Sequence, residues 1–259
     1  MNIILSTLAM PFAGTALGAA AVFALRRPMP LALRRFMAGF AAGVMTAAAV
    51  WSLLLPAIEM VRRSALPAWL PAAAGFAAGM AVMLLLDRAV PHLHPDPQRT
   101  EGPRIHLRRT AKLTLAVTLH NIPEGMAVGA VLAAALAPHT EITAAAALTL
   151  SSGIAVQNIP EGAIVAMPMR GDGAGRRQSF LCGLLSGAVE PAAAVVTLLL
   201  ADTIVPLLPW MLAAAAGAMM YVVADELIPE ARNGDHSDVG TVGFAVGFVL
   251  MMILDVALG

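Results

Sequence analysis

Cysteine is almost missing from this sequence. Cys182 stands alone among 259 residues, which excludes an intramolecular disulfide and a thiolate metal cluster. It reads as a buried, inert thiol. Charge is scarce too. Only 12% of residues are Asp, Glu, Lys or Arg, roughly half of what a soluble domain carries, so most of the surface does not face water. Lys+Arg and Asp+Glu balance at 16 each, and net charge favours no partner. No basic run is long enough to make a phosphate-binding face, which argues against nucleic acid.

Apolar residues fill the space instead, at 59% of the chain. They gather into stretches of about 20 residues, each long enough to cross the hydrocarbon core of a bilayer. Eight such spans are expected, at 3–25, 36–59, 67–90, 111–136, 142–169, 179–201, 205–229 and 239–258. The first reads as a span and not as a cleaved leader, because Arg26 and Arg27 follow its apolar run and no basic residue precedes it. Fourteen of the sixteen basic residues fall in or beside odd-numbered loops; only Arg62 and Arg63 do not. The positive-inside rule makes that side cytoplasmic and puts both termini outside. The expected fold is therefore an all-α integral membrane protein. It forms one transmembrane domain over 1–259, with a cytoplasmic loop at 91–110, in a cell membrane that the Ala-rich composition suggests is a bacterial inner membrane.

Small residues four apart recur within the spans: Gly14/Gly18, Gly39/Gly43, Gly75/Gly79, Gly183/Gly187 and Gly243/Gly247. Such spacing lets helix backbones approach closely. A second recurrence involves unusual residues. LTLAVTLHNIPEG ends at Gly125 and LSSGIAVQNIPEG at Gly162, in neighbouring spans that run in opposite directions. A weaker echo links SLLLPAIE (Ser52 to Glu59) with DELIPEAR (Asp225 to Arg232). The members of each pair differ by an odd number in span order, fourth with fifth and second with seventh, the pattern of inverted repeats with a substrate site at their interface.

The NIPEG motif has specific physics. Pro123 has no N–H, so the carbonyl of Leu119 loses its helical partner, and Pro160 does the same to Val156. A carbonyl orphaned in hydrocarbon must be satisfied, and a cation can do it. His120 and Glu124 are one helical turn apart on one face; Gln157 and Glu161 repeat the geometry. Asn121 and Asn158 lie at the edge of that face. Glu190, followed by Pro191, adds a third carboxylate deep in a span. Almost no Lys or Arg lies at that depth. Ionised carboxylates there are costly, and a divalent ion held by oxygen and imidazole cancels them.

At these residues the chain resembles the ZIP (Zrt/Irt-like) family of metal transporters, in its GufA branch. The resemblance rests on HNIPEG, the second PEG, the Glu190–Pro191 pair and DELIPE. GFAAGVM, PHLH and the closing LDVALG support it. It implies a 3+2+3 arrangement of eight helices and a binuclear metal centre between the fourth, fifth and sixth. One position would use His120, Glu124, Gln157 and Glu161, with Met45 as a soft ligand. The other would use Asn121, Glu124, Asn158, Glu161 and Glu190. It also implies a homodimer, and an elevator-like motion of helices one, four, five and six against the other four. Many family members have His where this chain has Gln157, and some have Asp where it has Asn158. The first change broadens selectivity, and the second weakens the second metal position.

The implied function is transport of Zn²⁺ into the cytoplasm, with Cd²⁺, Fe²⁺ or Mn²⁺ as further cargo. The mixed carboxylate, amide and imidazole donors suit borderline metals without trapping them. Acids near span ends mark a path: an outer mouth at Glu59, an inner route along Asp87, Asp225, Glu226 and His92, and Asp255 near the outer end of the last span. The alternatives are an intramembrane metal-dependent hydrolase, opposed by the lack of HExxH, and a Mg²⁺ or Ca²⁺ channel, opposed by His120 and Met45. The expectation is a transporter and not an enzyme.

Overall fold

In a bilayer every backbone N–H and C=O must find a partner within the chain, and long helices provide that. The computed structural model describes residues 3–24, 30–62, 66–67, 69–89, 92–93, 100–101, 109–137, 142–171, 173–200, 207–234 and 237–258. Most of the 91–110 loop, including His94 and His106, lies outside them, as do the side chains of His92 and His120.

Among the described residues the chain forms long helical elements α1 (Ile3–Ala24), α2 (Leu31–Val61), α3 (Trp69–Ala89), α4 (Arg109–Leu136), α5 (Ala144–Gly171), α6 (Arg176–Leu199), α7 (Leu208–Ala231) and α8 (Val239–Leu258). Between α3 and α4, β1 (His92–Leu93) pairs antiparallel with β2 (Thr100–Glu101), with His92 opposite Glu101. Among the described residues seven helices are long and apolar enough to cross a membrane, so the chain is a multi-pass membrane protein. The helix not among the seven is α5, on which the expected fifth span falls. Its middle carries Gln157, Asn158 and Glu161, and its 28 residues extend to about 42 Å.

The closest helix pairings are α2 with α8, α1 with α5 and α3 with α7. Glycine permits each. A Cβ on Gly14 or Gly18 would stand 2.0 Å from the carbonyl oxygen of Ala155 or Ile159 on α5. Gly39 and Gly43 meet α8 as tightly, and Gly79 meets Ala214 of α7. Four of the five Gly pairs thus mark these three backbone crossings. Gly183 and Gly187 of α6 press instead on the side chains of Ala19 and Thr15 of α1.

The weaker repeat acquires a structural meaning. α2 turns π-helical over Ala49–Leu54 and α7 over Val223–Leu227, each just ahead of a proline, Pro56 or Pro229. Proline frees the carbonyl four residues back, here Ser52 and Asp225, and a wider turn accommodates the ring. A further match emerges between α3 and α8: GMAVMLLLDRA ends at Ala89 and GFVLMMILDVA at Ala257. The aspartates of this match bond to residues of α2 and α7, the two helices that carry the π-helical turns. Asp255 accepts from Ser52 Oγ at 2.5 Å, and Asp87 accepts from Tyr221 OH at 2.9 Å.

The apolar core runs between these pairs and the remaining helices, with Met45, Leu53, Leu132, Ile154, Leu212 and Met251 fully buried. Large apolar side chains such as Trp69, Leu199 and Val256 stay exposed, an outward face suited to lipid.

Candidate metal centre

α4, α5 and α6 bring the unusual residues together, and α1 closes the group. Asn121, Glu124, Gln157, Asn158 and Glu190 are at most 1% exposed, and Glu161 is 8% exposed. Gly125 and Gly162, the glycines of the two NIPEG motifs, explain how the helices come so close. A Cβ on Gly125 would meet the Glu190 carbonyl of α6 at 2.3 Å, and one on Gly162 the Thr15 carbonyl of α1 at 2.2 Å.

Hydrogen bonds then orient the side chains. Gln157 Nε2 donates to Glu124 Oε1 at 2.7 Å. Asn158 Nδ2 donates to Glu190 Oε2 at 2.7 Å and approaches the Pro11 carbonyl at 3.3 Å. Thr15 Oγ1 donates to Glu190 Oε1 at 3.1 Å. Asn121 Nδ2 donates to the carbonyl of Ser186 at 3.1 Å. Every amide nitrogen faces an acceptor, so a flipped amide would set oxygen against oxygen.

Among the described residues this orientation leaves four oxygens of the group buried without a partner: Asn121 Oδ1, Glu124 Oε2, Gln157 Oε1 and Asn158 Oδ1. A buried polar atom left unsatisfied costs about 1–3 kcal/mol, so four in one small region call for a ligand. Glu124, Glu161 and Glu190 also lie near enough to repel one another. A dication accepted by carboxylate and amide oxygens relieves both strains at once. Among the described residues no three His, Cys, Asp or Glu side chains stand close enough to cage an ion by themselves. Amides are interleaved with the carboxylates, and the His120 side chain is outside the described set, although its backbone continues α4 one turn before Glu124.

The other expected residues sit on α2, α3, α7 and α8. Met45 is fully buried in the apolar core on α2, a helix that packs against α5. Glu59 is exposed and pairs with Arg62. Asp87 is buried against Tyr221. Asp225 and Glu226 sit half-buried on the π-helical segment of α7. Asp255 keeps Oδ2 unpartnered beside Ser52.

Sequence reasoning missed Thr15, the Pro11 carbonyl and Ser186, each bonded to a side chain of the centre. For Thr15 a signal existed. It is one of few polar residues in the first apolar run and sits inside the Gly14/Gly18 stripe that marks a helix contact.

The ZIP Zinc transporter family model matches residues 98–255. The chain is 36% identical to zinc transporter ZIP11 of Homo sapiens over 95% of this chain and 94% of that protein. It is 36% identical to zinc transporter GufA of Myxococcus xanthus, over 81% of each. It is 38% identical to zinc transporter ZIPB of Bordetella bronchiseptica, over 96% of this chain and 79% of that one. The chain belongs to the ZIP family. The matched segment contains both NIPEG motifs and Glu190, so the polar cluster lies within the family's region of similarity; Thr15 and Met45 lie before the match begins.

Proposed function

We propose that the chain carries divalent transition-metal cations, zinc chief among them, across the membrane through the centre between α4, α5 and α6. One observation carries this reading: the buried group of Asn121, Glu124, Gln157, Asn158 and Glu190 holds four oxygens that have no partner among the described residues. The chain has the chemistry of a cation site and no thiolate to trap the cargo. The zinc transporters to which it is similar along most of their length support zinc as that cargo.

In this reading α5 crosses the membrane as the eighth span, with both termini outside. His120, Glu124, Gln157 and Glu161 hold the ion, with Met45 able to approach as a soft ligand. Asn121, Asn158 and Glu190 border it. Glu59 and Asp255 lie on the outer approach; Asp87, Asp225, Glu226 and His92 lie on the way to the cytoplasm. Cd²⁺ substitutes for Zn²⁺, and Fe²⁺ or Mn²⁺ follow more weakly. The protein works as a homodimer and not as an enzyme. The body α1, α4, α5 and α6 moves against α2, α3, α7 and α8, a division supported by the tight pairing of α2 with α8 and α3 with α7.

The test is metal uptake into proteoliposomes, comparing Zn²⁺, Cd²⁺, Mn²⁺ and Mg²⁺. Zinc flux that disappears in His120→Ala combined with Glu161→Ala supports the assignment, and flux that survives defeats it. One observation favours a second reading. All four unpartnered atoms are oxygens, which also suits a harder cation such as Mg²⁺. Mg²⁺ flux exceeding Zn²⁺ flux in the same vesicles would select it.

A further inference from the structure

Thr15 belongs to α1, a helix without a single carboxylate, and it is fully buried. Its hydroxyl is 3.1 Å from Glu190 Oε1 and 3.4 Å from the Pro11 carbonyl one turn back. A hydroxyl has one proton, and the shorter contact to a carboxylate takes it. Asn158 answers from the other side, 2.7 Å from Glu190 Oε2. Glu190 therefore has a neutral donor on each oxygen. Glu124 differs: Gln157 caps one oxygen and the other has no partner.

Thr15 has little freedom to leave. A Cβ on Gly187 of α6 would stand 2.7 Å from Thr15 Cβ, and one on Gly162 of α5 would stand 2.2 Å from the Thr15 carbonyl. The residue is wedged between the two helices that supply Asn158 and Glu190. That wedge fixes the direction of its hydroxyl.

We propose that Thr15 is a positioning residue that, together with Asn158, holds Glu190 as a hydrogen-bonded carboxylate beside the centre, so that the centre takes one ion at a time. This inference rests on the metal-transport reading above. Two neutral donors stand where a second cation would otherwise neutralise Glu190. The transported ion is left with Glu124, Gln157, Glu161 and the His120 helix face, and the open oxygens of Asn121 and Asn158 border it. Fewer inner carboxylates mean a looser hold, which favours release.

The experiment counts zinc bound per chain by equilibrium dialysis of the purified full-length protein, alongside KM and kcat for zinc uptake in proteoliposomes. Wild type and Thr15→Ser bind one equivalent. Thr15→Val, which removes the hydroxyl and keeps the shape, binds a second equivalent, and both its KM and its kcat fall about tenfold because the ion is held longer. A merely structural role for Thr15 would lower the yield of folded protein without adding an equivalent. If Thr15→Val does not fold, Thr15→Ala is read the same way. Two equivalents on wild type overturn the proposal, as does a Thr15→Val protein with one equivalent and unchanged KM. Wild type that binds no zinc overturns the transport reading along with it, whereas one zinc on wild type and no change in Thr15→Val overturns the positioning role alone.

Discussion

Gln157 donates its amide to Glu124 across the α4–α5 crossing at 2.7 Å, and by doing so it aims its own oxygen away from that bond. The bond holds one carboxylate oxygen and leaves Glu124 Oε2 and Gln157 Oε1 both unpartnered. The two side chains act as a pair, with charge on one and a second acceptor on the other. Replacing Gln157 with Ala removes the donor and one acceptor together. Zinc affinity then drops about tenfold or more, measured by competition with a chelating dye. Gln157→His adds an imidazole and shifts preference toward Zn²⁺ over Mn²⁺, read from paired uptake assays.

The NIPEG glycines set the helix spacing. Gly125→Ala would drive a methyl to 2.3 Å from the Glu190 carbonyl, a backbone atom that cannot step aside cheaply. The helices must separate, at about 1–3 kcal/mol. The expected result is a lower thermal midpoint in detergent and weaker zinc binding. Gly173 offers a control for space, since nothing lies within 4 Å of it; its φ of +91° makes Asn, which tolerates that conformation, the substitution to use. Gly173→Asn leaves zinc binding unchanged.

The two aspartate bonds at the ends of α3 and α8 make a matched pair of tests. Tyr221→Phe strips the donor from Asp87, and Ser52→Ala strips the donor from Asp255. Each loss costs about 1–2 kcal/mol, measured as a fall in thermal midpoint. If the inverted repeat is energetic as well as geometric, the two falls are of similar size. They add in the double variant, because the bonds join different helix pairs.

Glu59 and Arg62 provide a contrast. Their side chains are 48% and 66% exposed, and an exposed pair contributes under about 1 kcal/mol. Arg62→Ala leaves stability unchanged. In the proposed path it also leaves Glu59 more negative toward arriving cations, and uptake at low zinc rises modestly in low-salt buffer.

Much of this was legible in the residues. Hydropathy gave the helices, because a bilayer demands long apolar runs with internal hydrogen bonds. The duplicated NIPEG gave the helices of the centre, because a proline and a carboxylate at lipid depth have few other uses. Two things were less accessible. The first was the π-helical turns at Ala49–Leu54 and Val223–Leu227, because a proline signals a disturbed helix and not which wider turn absorbs it. The second was Thr15, whose role depends on α1 lying against α5 and α6. A contact between helices far apart in sequence leaves only a glycine stripe as its trace.

The most direct test is the zinc affinity of Glu124→Gln, measured by equilibrium binding on purified protein. The substitution keeps the shape and removes the charge that has no basic partner among the described residues. The account predicts a loss of about a hundredfold or more. Affinity within twofold of wild type would contradict it, because the buried carboxylate would then not be what holds the ion.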